Sequence, residues 1–427
     1  MIKRSTPNAF YTNDNLYVLS GLNSESVDLI YLDPPFNSKR VYSASVGSRA
    51  AGASFKDTWT WKDVDEYYLD SLADYSPALM KYIVCTGEVH SKPLMAYLTF
   101  MTQRIIEMRR ILKKTGSLYL HCDPTAGHYL KILLDFIFGK NNFRNEIVWC
   151  YSVGGKSKRT FGKKHDTIYF YSKGNDYVFN SESIKIEMQS GKNSFGGRTE
   201  IDEDGRTYRL VYGSKNAKGE TRYYKYYLDE GKIPEDWWTD INTLQSGAEE
   251  RTGYPTQKPL ELLKRIILAS SNEGDRVLDP FCGCATTCVA AQQLRRHWIG
   301  IDIEKQTVKV LVERLGNDTG TFKDFVATDQ IPKRSDIQEV LPSETIKQCL
   351  YKKHQGKCNA CGCEFEIDDT EIDHIIPKSK GGGDYYENYQ LLCGSCSRIK
   401  GDRPMEYLRL KIDTRERMKK NKIFLGK

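Results

Sequence analysis

Apolar and polar positions follow two regimes along the chain. Ser26-Val27-Asp28-Leu29-Ile30-Tyr31-Leu32 is a short, nearly continuous apolar run and predicts a buried strand. It ends at Asp33-Pro34-Pro35-Phe36, where tandem prolines cannot continue a central strand and force a turn. From Pro93 to Leu112 the apolar spacing is helical, Gly116 breaks it, and Ser117 to His121 reads as the next strand. His128 to Phe138 is helical again. After Gly253 the same alternation returns. Lys258 to Ser270 predicts an amphipathic helix, Asp275 to Asp279 a strand, Thr286 to Leu294 a helix and His297 to Asp302 a strand. Strands alternating with helices in this way predict a parallel α/β sheet.

The stretch from about Cys150 to Glu250 breaks the alternation. It is rich in Tyr, Lys, Arg and Gly, as in Gly154-Gly155-Lys156-Ser157-Lys158-Arg159 and Arg222-Tyr223-Tyr224-Lys225-Tyr226-Tyr227. Basic residues interleaved with aromatics suit phosphate contact and base stacking. A β-rich insertion whose tyrosines fill a small core explains the composition equally well. A polar linker with Pro332 and Pro342 follows the second α/β stretch, and a small cysteine-rich tail closes the chain. The expected division is 1–149 and 251–328 for the α/β part, 150–250 for the insertion, 329–343 for the linker and 344–427 for the tail.

At 427 residues, 39% apolar and 28% charged, the chain has ample material for two or three folded domains. It contains no run near the roughly 18 apolar residues of a membrane span, and its first residues carry no apolar signal core. No membrane partner is expected, and a cytoplasmic, reducing setting is. The net charge is +7, and the last 87 residues hold 17 basic against 13 acidic groups. That excess permits a polyanionic partner. Five of the 12 cysteines lie between Cys358 and Cys396, which suits metal ligation in a reducing compartment.

Two features of the α/β part carry chemistry. Asp279-Pro280-Phe281-Cys282-Gly283-Cys284-Ala285 joins a strand to a helix, and Asp302 ends the following strand. Small residues let backbone approach a ligand, and an acid one strand away can hold ribose hydroxyls. The G-x-G-x-x-G dinucleotide pattern is absent. The other feature is Asp33-Pro34-Pro35-Phe36, which alone could be an ordinary turn. As a site, Asp33 and the Pro34 carbonyl would accept the protons of an exocyclic amine, and Phe36 would stack on a flipped base.

Together these motifs resemble the β-class amino-methylating DNA methyltransferases, over roughly Phe10 to Phe325. Asn13-Asp14-Asn15 looks like the segment near the cofactor adenine. Asp33-Pro34-Pro35-Phe36 looks like the catalytic motif. Trp238-Thr239-Asp240 and Tyr254-Pro255-Thr256-Gln257-Lys258-Pro259-Leu260 look like the segment before the cofactor loop, and Asp279 to Thr287 like the loop. The resemblance implies a Rossmann-like, S-adenosylmethionine-dependent sheet with a β-rich target-recognition insertion. It implies cofactor contacts from Asp14, Lys258, Asp279, Phe281, Gly283 and Asp302. The aspartate heading D-P-P-F implies adenine N6, with cytosine N4 as the alternative. Cytosine C5 chemistry needs a Pro-Cys nucleophile, and none of the 14 prolines precedes a cysteine. The chain departs from the usual loop at Ala285, where the family carries glycine. If that turn is left-handed, the alanine is strained there.

In the tail, Cys358-x-x-Cys361 and Cys393-x-x-Cys396 are separated by 31 residues and suit a tetrahedral structural zinc. Between them lie Asp373-His374, Gly381-Gly382-Gly383 and Asn388. This segment resembles the HNH nuclease ββα-metal module. The resemblance implies His374 as general base, Asp373 as ligand of Mg2+ or another divalent ion, and Asn388 as the residue orienting the histidine loop. Ser397 stands where that family carries His or Asn. Arg398, Lys400 and Arg403 are placed to reach phosphate.

The expected function is a double-stranded DNA adenine-N6 methyltransferase fused to an HNH endonuclease module, of restriction–modification or phage type. One rival makes the tail the nuclease and the front part a DNA-binding scaffold. Another is a zinc-bearing DNA-binding protein with both sites decayed. The oligomeric state is not written in the sequence, and a homodimer is compatible with it.

Overall fold

The computed structural model describes residues 8–36, 40–44, 47–60, 72, 75–152, 158–187, 199–216, 218–245, 247–319, 325–336, 343–380, 382–384, 386–405 and 407–414. Gly154 to Ser157 of the first basic run, Pro342 of the linker and Gly381 of the glycine triplet lie outside the described residues.

Among the described residues the main sheet has nine strands: β1 (Asn8–Tyr11), β2 (Val27–Leu32), β3 (Leu112–Cys122), β4 (Phe143–Cys150), β5 (His165–Ser172), β6 (Trp237–Trp238), β7 (Arg276–Asp279), β8 (His297–Ile301) and β9 (Phe325–Thr328). Their spatial order is β6-β4-β5-β3-β2-β7-β8-β1-β9. All neighbours are parallel except β5, which runs antiparallel between β3 and β4. Every residue of β2 is buried, as a strand covered on both faces requires. One face packs on helices Pro77–Val89, Lys92–Ile111 and Gly127–Phe138, the other on Leu260–Ser270, Thr286–Gln293 and Gln306–Thr319. Helix Lys92–Ile111 begins where Ser91 accepts from Leu94 N at 3.3 Å, with Pro93 in its first turn and Arg109 and Arg110 in its last.

Because β1, β2, β7 and β8 run parallel, their carboxyl ends open on one edge. The segments leaving them are Thr12 to Asn15, Asp33 to Phe36, Pro280 to Ala285 and Asp302 to Glu304. Ligands of open α/β sheets bind at such an edge.

The stretch expected as an insertion divides. Its strand β5 and the short β6 join the main sheet, whereas Thr199–Ile201, Thr207–Lys215 and Thr221–Tyr227 form a separate antiparallel sheet. The tyrosines of that sheet do not fill a core: Tyr212, Tyr223, Tyr224 and Tyr226 are exposed, and only Tyr208 is buried. The tail pairs Thr370–His374 with Tyr389–Cys393 antiparallel, followed by helix Gly394–Lys400. No described helix is long and apolar enough to cross a membrane.

Candidate active site and zinc frame

The carboxyl edge encloses a cavity of about 610 Å³ lined by Asp14, Asp33 to Phe36, Lys258, Asp279 to Cys284 and Asp302. That volume lies within the usual range for a small-molecule site. The structure therefore brings every cofactor and methyl-transfer residue expected from the sequence to one place.

Asp33 leaves β2 with its two oxygens in different states. Oδ2 accepts from Lys258 Nζ at 2.5 Å, whereas Oδ1 is buried with no partner among the described residues. An orphaned buried acceptor is costly unless something else supplies a donor. Lys258, expected on the cofactor, thus sits on the Asp33 carboxylate, with its ammonium also 5.6 Å from the centre of the Phe36 ring. Phe36 stacks on His121, with centroids 6.4 Å apart and planes 23° from parallel.

His121 is fully buried and holds a chain of polar groups beneath the motif. Its Nδ1 lies 2.9 Å from Tyr31 Oη and its Nε2 3.1 Å from Asp166 Oδ2, and Tyr151 donates to Asp166 Oδ1 at 3.1 Å. Burial pushes the Asp166 carboxyl up, but the His121 hydrogen bond and charge, then Lys258, outweigh it and hold the group below its ordinary value. An ionised Asp166 only accepts, so Nε2 carries a hydrogen toward it. Burial raises the Tyr31 phenol that faces Nδ1 well above its ordinary value.

The cofactor-side loop is pinned by two carboxylates. Asp279 accepts from Phe281 N at 3.0 Å and from Thr287 Oγ1 at 2.5 Å. Asp302 accepts from Gly283 N at 2.7 Å and from Glu304 N at 2.8 Å. Burial raises the first to about 7 and the second to about 6. Each oxygen keeps a second lone pair that a ligand hydroxyl or ammonium could use. Gly283 has φ +50°, and a Cβ there would stand 3.1 Å from the Tyr254 ring. Ala285 is left-handed, at φ 61° and ψ 31°, and fully buried. The strained hand feared for this alanine is the hand it adopts.

Asp14 caps helix Asn15–Gly21 by accepting from Leu16 N at 2.8 Å and pairs with Arg104 at 2.9 Å. Arg104 also donates to Asn15 Oδ1 at 2.6 Å, and Asn15 donates to the Pro280 carbonyl at 2.7 Å. These bonds tie the N-terminal segment to the loop. Sequence reading missed Arg104 and His121. The one available signal was a charged or polar side chain at an apolar-phase position.

In the tail, the four sulfurs of Cys358, Cys361, Cys393 and Cys396 all lie within 4.8 Å of one another. Tetrahedral zinc with Zn–S bonds of about 2.3 Å needs sulfurs roughly 3.8 Å apart, so the set fits the ion. The Cys396 thiol donates to Cys358 and holds that group below its ordinary value.

The residues expected to hold a second, divalent ion do not fit it. Asp373 Oδ1 accepts from Lys400 Nζ at 2.6 Å and from Gln390 Nε2 at 3.2 Å. His374 Nε2 faces Asp384 Oδ1 at 2.8 Å, which also takes Tyr389 Oη at 3.1 Å, while Lys378 pairs with Oδ2 at 2.8 Å. Lys378, then His374, hold the Asp384 carboxyl down at about 2. Asn388 accepts from Ile376 N at 2.8 Å and donates to the carbonyls of Ile376 at 3.1 Å and Gly383 at 3.0 Å, which fixes the loop after His374. Among the described residues, only the four cysteines form a cluster able to hold a metal. Lys400, expected on phosphate, is buried, whereas Arg398 and Arg403 are exposed.

Residues 27–313 match the N6/N4 methylase family model described as DNA methylase, and residues 358–403 match the model described as HNH endonuclease. The Type II methyltransferase M.EcaI of Enterobacter cloacae is 30% identical over 364 residues, covering 75% of this chain and 72% of its own. The DNA adenine methyltransferase YhdJ of Escherichia coli is 29% identical over 342 residues, covering 78% and 93%. Among solved structures, the PvuII DNA methyltransferase (cytosine-N4-specific) aligns with TM-score 0.43 and 13% identity, covering 76% of this chain and 96% of that one.

Proposed function

The chain belongs to the family of N6/N4 DNA methylases, of restriction–modification type, with an HNH endonuclease domain behind it, and on that premise we propose that it methylates adenine N6 in duplex DNA. The observation that carries the choice of site is Asp33 in the cavity wall: one oxygen is held by Lys258, and the other is buried with no partner among the described residues. S-adenosylmethionine, when bound, supplies an electrophilic methyl group. Asp33 Oδ1 accepts one N6 proton and the Pro34 carbonyl the other, which aims the nitrogen lone pair at that methyl. Asp33 or water would take the proton that N6 gives up on methylation. Phe36, backed by His121, is the platform on which the flipped base stacks. Lys258 fixes which carboxylate oxygen faces the base. Asp279 and Asp302 shape the loop that receives the cofactor, with Asp14, Phe281 and Gly283 along its wall. Positioning of this kind supplies most of the rate in a reaction whose electrophile is already activated.

The aspartate at the head of the motif supports adenine, as does the name of the Escherichia coli relative. The exposed tyrosines and basic residues of the separate three-stranded sheet suit contact with duplex DNA. The four tail thiols hold a structural zinc.

The test is nucleoside mass spectrometry of unmethylated plasmid incubated with the protein and S-adenosylmethionine, with Asp33→Ala as control. N6-methyladenine from the wild type alone supports the reading. N4-methylcytosine would overturn the base, and no methylated nucleoside would overturn the activity.

A further inference from the structure

We infer that the HNH-like module carries its cation in its own chain: the Lys400 ammonium occupies the position at Asp373 that a divalent ion would take. Lys400 is 1% exposed, and its Nζ lies 2.6 Å from Asp373 Oδ1. A buried ammonium is tolerated only when paired, and here the carboxylate is its anion. Gln390 Nε2 adds a second donor to the same oxygen at 3.2 Å. An ion taking Oδ1 would have to displace both donors and leave Lys400 buried without a counter-charge.

The other donors do not compensate. His374 directs Nε2 to Asp384, whose second oxygen is taken by Lys378. Ser397 lies one turn before Lys400 on helix Gly394–Lys400 and offers a hydroxyl, a weak ligand for a hard cation. A metal site of this type needs an anionic ligand whose charge is unspent, and Asp373 has spent its charge on Lys400. Any strand cleavage by this module would run without an ion at Asp373. The inference rests on the tail alone and does not depend on the methylation reading.

Mn2+ titration of the zinc-loaded full-length chain, read by electron paramagnetic resonance, tests it. Zinc content of one per chain reports that the module has folded. The wild type is expected to show no Mn2+ site that Asp373→Asn removes. Ser397→His alone restores a ligand but leaves Lys400 in place, so it too should bind none. Ser397→His with Lys400→Met should gain one Mn2+ per chain, lost again when Asp373→Asn is added. An Asp373-dependent site in the wild type or in Ser397→His would overturn the inference. So would a zinc-replete double variant that binds no Mn2+. If the double variant loses zinc, the first two proteins decide.

Discussion

Replacing Ala285 by glycine in the cofactor loop should change little, although the position looks made for glycine. Relief of the left-handed backbone is worth about 1–2 kcal/mol. Against it stand the buried methyl, about 0.8 kcal/mol, and the added freedom of glycine in the unfolded chain, about 0.4–1 kcal/mol. Ala285 is fully buried in the core behind the loop, so the methyl loss applies in full. Net stability should therefore shift by no more than about 1 kcal/mol in either direction. Cofactor affinity should move still less. Ala285 N donates to the Cys282 carbonyl at 2.8 Å, and Val289 N donates to the Ala285 carbonyl at 3.1 Å. Asp279 and Asp302 pin the same loop. The strain is thus present before the ligand arrives and cancels from the binding equilibrium. Urea unfolding and calorimetric titration of S-adenosylmethionine would measure the two quantities on Ala285→Gly. A cofactor affinity at least tenfold tighter, about 1.4 kcal/mol, would refute this reasoning. It would mean that the free loop relaxes and that binding must restore the strained hand.

Lys258→Met should lower methylation by two orders of magnitude or more while leaving cofactor affinity within a few-fold, because removing one partner of a largely buried charge pair costs about 2–5 kcal/mol. Filter-binding beside single-turnover methylation would separate the two effects, and a parallel loss of both would return Lys258 to the cofactor. Asp279 and Asp302 have folded pKa values raised by burial to about 7 and about 6. Raised carboxyls bind protons more tightly in the fold, so the ligand-free protein should lose stability as pH climbs from about 4 to about 7 and level off above. The cationic cofactor should bind more tightly over the upper part of that range; stability and affinity measured from pH 5 to 8 would show opposite slopes. Cys358→Ser with Cys361→Ser should abolish the single zinc and render the tail protease-sensitive, as expected where metal binding supplies folding energy; metal analysis and limited proteolysis check it.

The strand ends were legible in the sequence because each acid follows a buried apolar run: Asp33 after β2, Asp279 at the end of β7, Asp302 after β8. Parallel pairing does the rest, setting all three on one edge. The partner of Asp33 was not legible. Lys258 sits in a loop 225 residues away, and nothing in local spacing says which acid its flexible stem will reach. Arg104 and His121 were hidden for the opposite reason, lying in helical and strand patterns whose other members are core. Strand β5 was obscured by the aromatic, basic composition around it. In the tail, the cysteine spacing gave the zinc frame, but Asp384 and Lys400 depend on side-chain direction within a fold that has few regular positions.

The cavity is closed by residues far apart in the chain, yet all of them precede residue 305, and the last cysteine of the metal-binding cluster is Cys396. Synthesis at about 5–20 residues per second places that cysteine on the order of 5–20 s behind the final cavity residue. The methyl-transfer pocket therefore has its whole complement of side chains while the tail is still inside or just leaving the ribosome. In each new copy of the protein, the cavity's residues precede those of the module behind it, an order set by the chain itself.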